Sequence, residues 1–239
     1  SGSRGNRIMY WPNFIPEPWS VLGLYQKLTE GDAYAGTTDL DNDYYEVDLM
    51  YKTSTVNAAI AYGYMDNQTG ATNDNERHRV KGYGHFTFGN YFLETEFDIL
   101  RGSLTDDDNA AIQDVDYDAH AFYINGGGTF GNLTAGMMYF TITGDDANSA
   151  GDNERYSGNS GVQGTGNDFE PVVIMTGKHT GVFNNDQYRG GTTDDWEIAG
   201  VHAIGLYASY QYSPKLNLTG VLAVGWADET NTWDDAVVD

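Results

Sequence analysis

Cysteine is absent from the 239 residues, so the chain has no disulfide framework, no thiolate metal site and no cysteine nucleophile. Bases are scarce: 12 Lys and Arg stand against 35 Asp and Glu, a net charge of −23. A nucleic-acid partner requires clustered Lys and Arg to meet phosphates, and that class is excluded. No run of about 18 apolar residues occurs, which excludes a transmembrane helix; the mean hydropathy is −0.51. A membrane strand is not excluded, because it needs only about 10 alternating residues. The five histidines (His78, His85, His120, His179, His202) show no H-x-x-x-H or H-E-x-x-H spacing, so a zinc hydrolase has no support. No phosphate-cradling or dinucleotide-binding glycine pattern is present either. Neither a cofactor nor a metal is expected. What the chain does have is glycine (30), tyrosine (18) and an aromatic content of 14%, which argues against disorder.

Helical periodicity is missing over any useful length, whereas period-2 alternation recurs in segments of about 10 residues. It predicts strands over 19–29, 43–52, 55–65, 78–88, 91–102, 119–130, 133–143, 200–212 and 216–227. The connections alternate strictly between two kinds. Short ones are Thr53-Ser54, Gly89-Asn90, Gly131-Asn132 and Ser213-Pro214-Lys215, all suited to tight hairpins. Long ones span 30–43, 65–78, 103–118, 144–198 and 228 onward.

Register is legible from the side chains. A turn at Gly89-Asn90 sets Phe88, Phe86, Gly84, Gly82 and Val80 opposite Tyr91, Leu93, Thr95, Phe97 and Ile99, a face without charge. The other face sets Thr87, His85, Tyr83, Lys81 and Arg79 against Phe92, Glu94, Glu96, Asp98 and Leu100, bases beside acids. A one-residue slip would mix the two faces. On 43–65 the apolar face is Tyr45, Val47, Leu49, Tyr51, Val56, Ala58, Ile60 and Tyr62, opposite a face holding Glu46, Asp48 and Lys52. On 200–227 the apolar face runs from Ile204 and Leu206 to Val224 and Trp226, opposite Ser209, Gln211, Asn217 and Thr219. Of the 35 acids, 29 fall in the long connections and none in the short turns.

These features predict an all-β fold, an antiparallel up-and-down transmembrane β-barrel with about nine visible strands. Bacterial single-chain barrels are even-numbered, so the piece is expected to belong to a barrel of about 14–18 strands. A soluble β-sandwich would also alternate apolar and polar faces. Three features favour the membrane: aromatic residues at both ends of the apolar band, strands longer than usual, and connections segregated by length. The whole of 1–239 is then one barrel domain, incomplete at both ends, with 144–198 as a long extracellular or inward-folded loop. Ser1-Gly2-Ser3-Arg4-Gly5 carries no apolar signal core, and Trp233–Asp239 looks like a loop, so both natural ends are expected to lie outside this chain.

Over about residues 18–228 the sequence resembles the outer-membrane porin class of Gram-negative bacteria, large general or polysaccharide-export types in particular. The resemblance rests on the repeated Thr-Phe-Gly-Asn phrase at 87–90 and 129–132, on Tyr210-Gln211-Tyr212-Ser213-Pro214-Lys215-Leu216-Asn217-Leu218, and on the layout. It implies a non-enzymatic channel for ions or small hydrophilic solutes. Implied partners are outer-membrane lipid, lipopolysaccharide and two further copies in a homotrimer. A plugged barrel serving adhesion or docking remains the rival reading.

The leading candidate site is the charged ladder Arg79, Lys81, His85, Glu94, Glu96 and Asp98, extended by Glu46, Asp48 and Lys52. Across a water-filled pore such charges shape the field that ions feel; the plainer role is ion pairing that stiffens the wall. Lys27 is also expected on this wall, so that its bases nearly cancel its acids. The apolar insert Phe169, Glu170, Pro171, Val172, Val173, Ile174 and Met175 must bury itself, as an inward constriction, over the mouth, or at a trimer contact. Asp114, Asp116 and Asp118 invite calcium, but an EF-hand needs glycine and glutamate where the chain has Ala119 and Asn125. A solvated acidic loop is the expected reading there. His85 beside Glu94 and Tyr83 could be drawn as a base with its orienter, yet no nucleophile other than Thr87 stands near. An enzyme is not expected.

Overall fold

A computed structural model describes residues 7–29, 42–67, 73–106, 114–144, 152–154 and 200–228. Its regular elements are β1 (Arg7–Tyr10), β2 (Trp19–Thr29), β3 (Asn42–Lys52), β4 (Val56–Asn67), β5 (Asn73–Phe88), β6 (Tyr91–Asp106), β7 (Val115–Phe130), β8 (Leu133–Ile142), β9 (Asp152–Asn153), β10 (Val201–Ser213) and β11 (Leu216–Trp226). No helix occurs among the described residues. The strands form one sheet in the order β1-β2-β3-β4-β5-β6-β7-β8-β10-β11, with β9 attached to β7. This is an all-β, antiparallel up-and-down arrangement, as the alternation predicted. The β7–β9 pairing is the exception, a short parallel bridge that sets Asp116 opposite Asp152.

Two strands were not foreseen, the four-residue β1 and the two-residue β9. Others run further than their alternation shows: β4 ends at Asn67 and β5 begins at Asn73, β6 reaches Asp106 and β7 starts at Val115. Eight acids expected in connections therefore lie in strands: Asp43, Asp66, Asp74, Glu76, Asp106, Asp116, Asp118 and Asp152. The physical reason is plain. Where both faces are polar the period-2 signal vanishes, while the backbone ladder continues. Local contacts support these polar ends. Arg101 pairs with Asp118 at 3.2 Å, Arg77 lies 4.3 Å over the Tyr117 ring, and Tyr64 donates to Glu76 at 3.0 Å.

Packing divides the chain into two compact units. The first comprises residues 1–85, 97–118 and 151–153; the second comprises 86–96, 119–150 and 154–239. In the first, the β3–β4 register sets Val47 opposite Tyr62, Leu49 opposite Ile60 and Tyr51 opposite Ala58, the expected apolar face. In the second, Ile204 faces Val224, Leu206 faces Leu222 and Tyr210 faces Leu218.

Burial runs opposite to that of a water-soluble sheet. The apolar faces are the exposed ones: Ile60 is 48% exposed, Val47 57% and Leu206 55%. The buried apolar side chains sit on the other face. Leu22, Tyr44, Ala61, Met65 and Leu100 do so in the first unit, and Met138, Phe140, Ile142, Val201 and Ala203 in the second. They share that face with sheltered charge, Arg79, Glu46 and Asp98 among them.

Tight turns hold the register. Gly89 and Gly131 have φ of 63° and 62°, and no described non-glycine residue has a positive φ. Only the first turn position is then left-handed, as a type II′ hairpin turn requires. A methyl group on Gly89 would meet nothing within 4 Å, so the cost of replacing it is purely one of backbone conformation. Gly89→Ala is expected to lower stability by about 1–2 kcal/mol. Gly23→Ala, equally open but at an ordinary φ, should be neutral. Urea unfolding midpoints of the two variants will tell them apart.

Candidate functional site

In the first unit the charged face is built around small residues. Tyr44, Glu46 and Asp48 alternate along β3, and their register partners on β4 include Gly63 opposite Glu46 and Ala61 opposite Asp48. The Tyr44 ring lies over Gly63, where an added Cβ would come within 2.5 Å of the Tyr44 hydroxyl oxygen. That hydroxyl donates to Glu46 Oε2. Lys81 on β5 reaches the same carboxylate, Nζ to Oε2, at 2.7 Å. Since β4 stands between β3 and β5, Lys81 spans a whole strand, which only a low floor of alanine and glycine allows.

Arg79 grips Asp98 with its Nε at 2.8 and 2.9 Å from the two carboxylate oxygens, and Nη2 completes the fork. Their side chains are 4% and 12% exposed, so this pair is desolvated and geometrically fixed. Tyr83 donates to Asn57 Oδ1 at 3.2 Å. His85 continues the same strand face half-buried, and Lys52 lies exposed beside the turn at Thr53.

Lys27 needs correction. The β2–β3 register sets Tyr25 opposite Tyr45 and Lys27 opposite Asp43, so Lys27 shares the parity of the apolar face. Both faces of β2 carry apolar residues, Val21 and Tyr25 on one and Leu22 and Leu24 on the other, so alternation alone does not assign Lys27. On the charged face of the first unit Glu46, Asp48 and Asp98 stand with Lys52, Arg79 and Lys81, and Arg77 shares the parity of Arg79; Glu94 and Glu96 belong to the second unit. Two of those bases are held in ion pairs.

In the second unit Glu94 and Glu96 alternate on β6. Asn125 on β7 donates from Nδ2 to Glu94 Oε2 at 2.9 Å, and Tyr207 on β10 donates to Asn125 Oδ1 at 2.9 Å. Tyr207 crosses β8 over Gly136. Towards the far end of the same face, Phe140, Ile142, Val201 and Ala203 form a fully buried apolar cluster with Ala121 and Tyr123 packed against it.

The apolar faces carry ring contacts at both ends. In the first unit Trp19 meets Tyr51 at 4.7 Å near the turns, while Tyr25 meets Tyr45 at 5.2 Å at the other end. In the second unit Tyr91 meets Phe130 at 5.8 Å near the turns. At the opposite end His202 stacks on Trp226 at 5.5 Å and bonds Asp228 through Nε2 at 2.6 Å.

The structure thus joins Arg79 with Asp98, and Lys81 with Glu46, from the expected ladder. Tyr44, Asn125 and Tyr207 were not singled out from sequence. Their parity with Glu46, Asn125's partner Glu94 or Ser209 was visible, but contacts that skip a strand over glycine are not. Among the described residues no group of three or more potential metal ligands is assembled. The insert Phe169–Met175, with Asp107, Asp108 and His179, lies outside the described residues.

No family model matches the chain, and no curated protein sequence does. Among solved structures, an anion-selective porin from Comamonas acidovorans is similar at 14% identity with a TM-score of 0.47, over 93% of this chain and 49% of its own. The chain spans about half the length of that porin.

Proposed function

We propose that this chain forms the wall of a transmembrane β-barrel in the outer membrane of a Gram-negative bacterium, and that it conducts ions or small hydrophilic solutes by passive diffusion. The observation that carries this reading is the inverted burial. A soluble sandwich would hide Val47, Leu49, Ile60, Leu206 and Leu222; here all are exposed, while Arg79, Asp98 and Glu46 are sheltered. Lipid is the solvent in which that arrangement is stable.

The dimensions agree. From His202 to Tyr212, the aromatic-flanked length of β10, the strand rises about 33 Å at roughly 3.3 Å per residue. At a barrel tilt of about 40° this covers about 25 Å along the membrane normal, the height of an outer-membrane apolar band. The polar ends of β5, β6 and β7, each 16 residues long, would project beyond it.

With 35 acids against 12 bases over the chain, and acids crowding the connections, the pore should favour cations weakly. Fixed charge acts within a Debye length of about 10 Å at 0.1 M salt, so the preference should grow on dilution and fade towards 1 M. Planar-bilayer recordings across a KCl gradient test both statements. Discrete conductance steps with a cation-signed reversal potential are expected; an anion-signed potential would sink the selectivity reading. A second reading, a plugged barrel for adhesion or docking, draws on the fully buried cluster around Phe140. Electrical silence from correctly inserted protein would favour it.

A further inference from the structure

We infer that Arg77 is a binding point for the carboxylate group of a small permeating solute. This rests on the channel reading, because only then does water with its solutes run along the charged face. Arg77 lies on β5 two residues before Arg79 and shares its face. The bases of that face in the first unit have unlike surroundings. Arg79 is held by Asp98 and Lys81 by Glu46, so each already has its anion. Lys52, exposed beside a turn, is a flexible point charge. Arg7, exposed on the edge strand β1, turns its Nε and Nη2 to Gln26 Oε1 at 3.0 and 2.6 Å.

Arg77 is half-buried, and the groups that hold it are neutral. Its Nε donates to Asn75 Oδ1 at 3.0 Å, and the guanidinium carbon lies 4.3 Å from the centroid of the Tyr117 ring. Asn75 is 6% exposed, so the acceptor that fixes Nε is withdrawn from water. Tyr117 stands on β7, with β6 between it and β5. At the crossing β6 offers Gly102, where a Cβ would come within 2.9 Å of the Arg77 Cα, so no side chain obstructs the reach. A ring and an amide orient a guanidinium without cancelling its charge. With Nε engaged and one face covered, the two Nη nitrogens present the parallel N–H pair that a carboxylate accepts as a fork. A solute anion is the partner this arrangement lacks. One contact of this kind retards a carboxylate in the pore and leaves the sign of the overall ion preference to the remaining charge.

The test is the block of KCl current by succinate in planar bilayers, with succinamide, its uncharged analogue, as the comparison. Succinate should lower the wild-type conductance with rising concentration, and succinamide should not. Arg77→Gln should raise the succinate concentration for half block about tenfold, the loss of one charge-assisted contact. Arg77→Lys keeps the charge but not the fork and should fall between the two. Arg101→Gln removes a positive charge from the neighbouring strand on its other face, where Arg101 pairs with Asp118, and should be blocked as wild type is. Thermal unfolding is measured alongside. A merely structural Arg77 would change the unfolding temperature and leave the half-block concentration unmoved, which overturns the inference. Equal block by succinate and succinamide, or no block of a conducting wild type, overturns it too. Where Arg77→Gln fails to fold, Arg77→Lys carries the test, and a half-block concentration equal to wild type counts against the site. No conductance from inserted wild type is a different failure: it removes the channel reading and this inference with it.

Discussion

Arginine at Ile60 or Leu206 will abolish membrane assembly. Both side chains stand near the middle of the exposed apolar face, Ile60 opposite Leu49 on β3 and Leu206 opposite Leu222 on β11. A midplane arginine on the lipid face of a barrel costs about 2–4 kcal/mol, and no carboxylate lies on this face within the band to offset it. Thr219→Arg is the matched control. It sits on β11 opposite Ser209, on the polar face and exposed, where a long cation finds water. Folding into lipid vesicles, followed by the shift of the folded band on unheated gels, should fail for the first two and proceed for the third. Equal folding of all three would mean that the exposed apolar face does not meet lipid.

Loss of Arg79 should be the most damaging single change on the charged face. Its guanidinium and the Asp98 carboxylate are almost fully withdrawn from solvent. Removing one partner leaves a desolvated charge, which in buried pairs costs about 3–5 kcal/mol. Arg79→Leu should therefore unfold at markedly lower urea than wild type. Arg79→Leu combined with Asp98→Leu should recover much of that loss, because no orphan charge remains. A double variant as weak as the single one would show that the pair contributes through its hydrogen bonds to the surrounding wall rather than through charge compensation. Lys81→Leu should cost less, since Lys81 is one-third exposed and water can replace it beside Glu46.

Much of this molecule could be read before any coordinate. The hairpins at Gly89-Asn90 and Gly131-Asn132 follow from a residue that tolerates positive φ, and alternation on either side sets which face each side chain takes. The apolar faces of β3–β4 and β10–β11 appear in the structure with the expected partners, because a slip of one residue would turn polar side chains to the wrong side. Elements lacking alternation were missed for the same reason: β1 and β9 are too short to show a period, and the polar ends of β5, β6 and β7 show none.

What alternation cannot say is which face is the hidden one. A sequence of period 2 fits a soluble sandwich and a lipid-facing wall alike. The packed sheet exposes Val47 and Ile60 and shelters Arg79 and Asp98, which is the observation that favours the second. Pairings that skip a strand are likewise a tertiary matter. Lys81 reaches Glu46, and Tyr207 reaches Asn125, because Gly63, Ala61 and Gly136 leave the intervening strand low enough to cross. Lys27 shows the limit from the other side, since β2 carries apolar residues on both faces and only its pairing with β3 says which face Lys27 takes. Local chemistry along the chain determined strands, turns and faces; the sign of burial and the contacts across strands came from how those faces packed, which depends on partners far away in sequence.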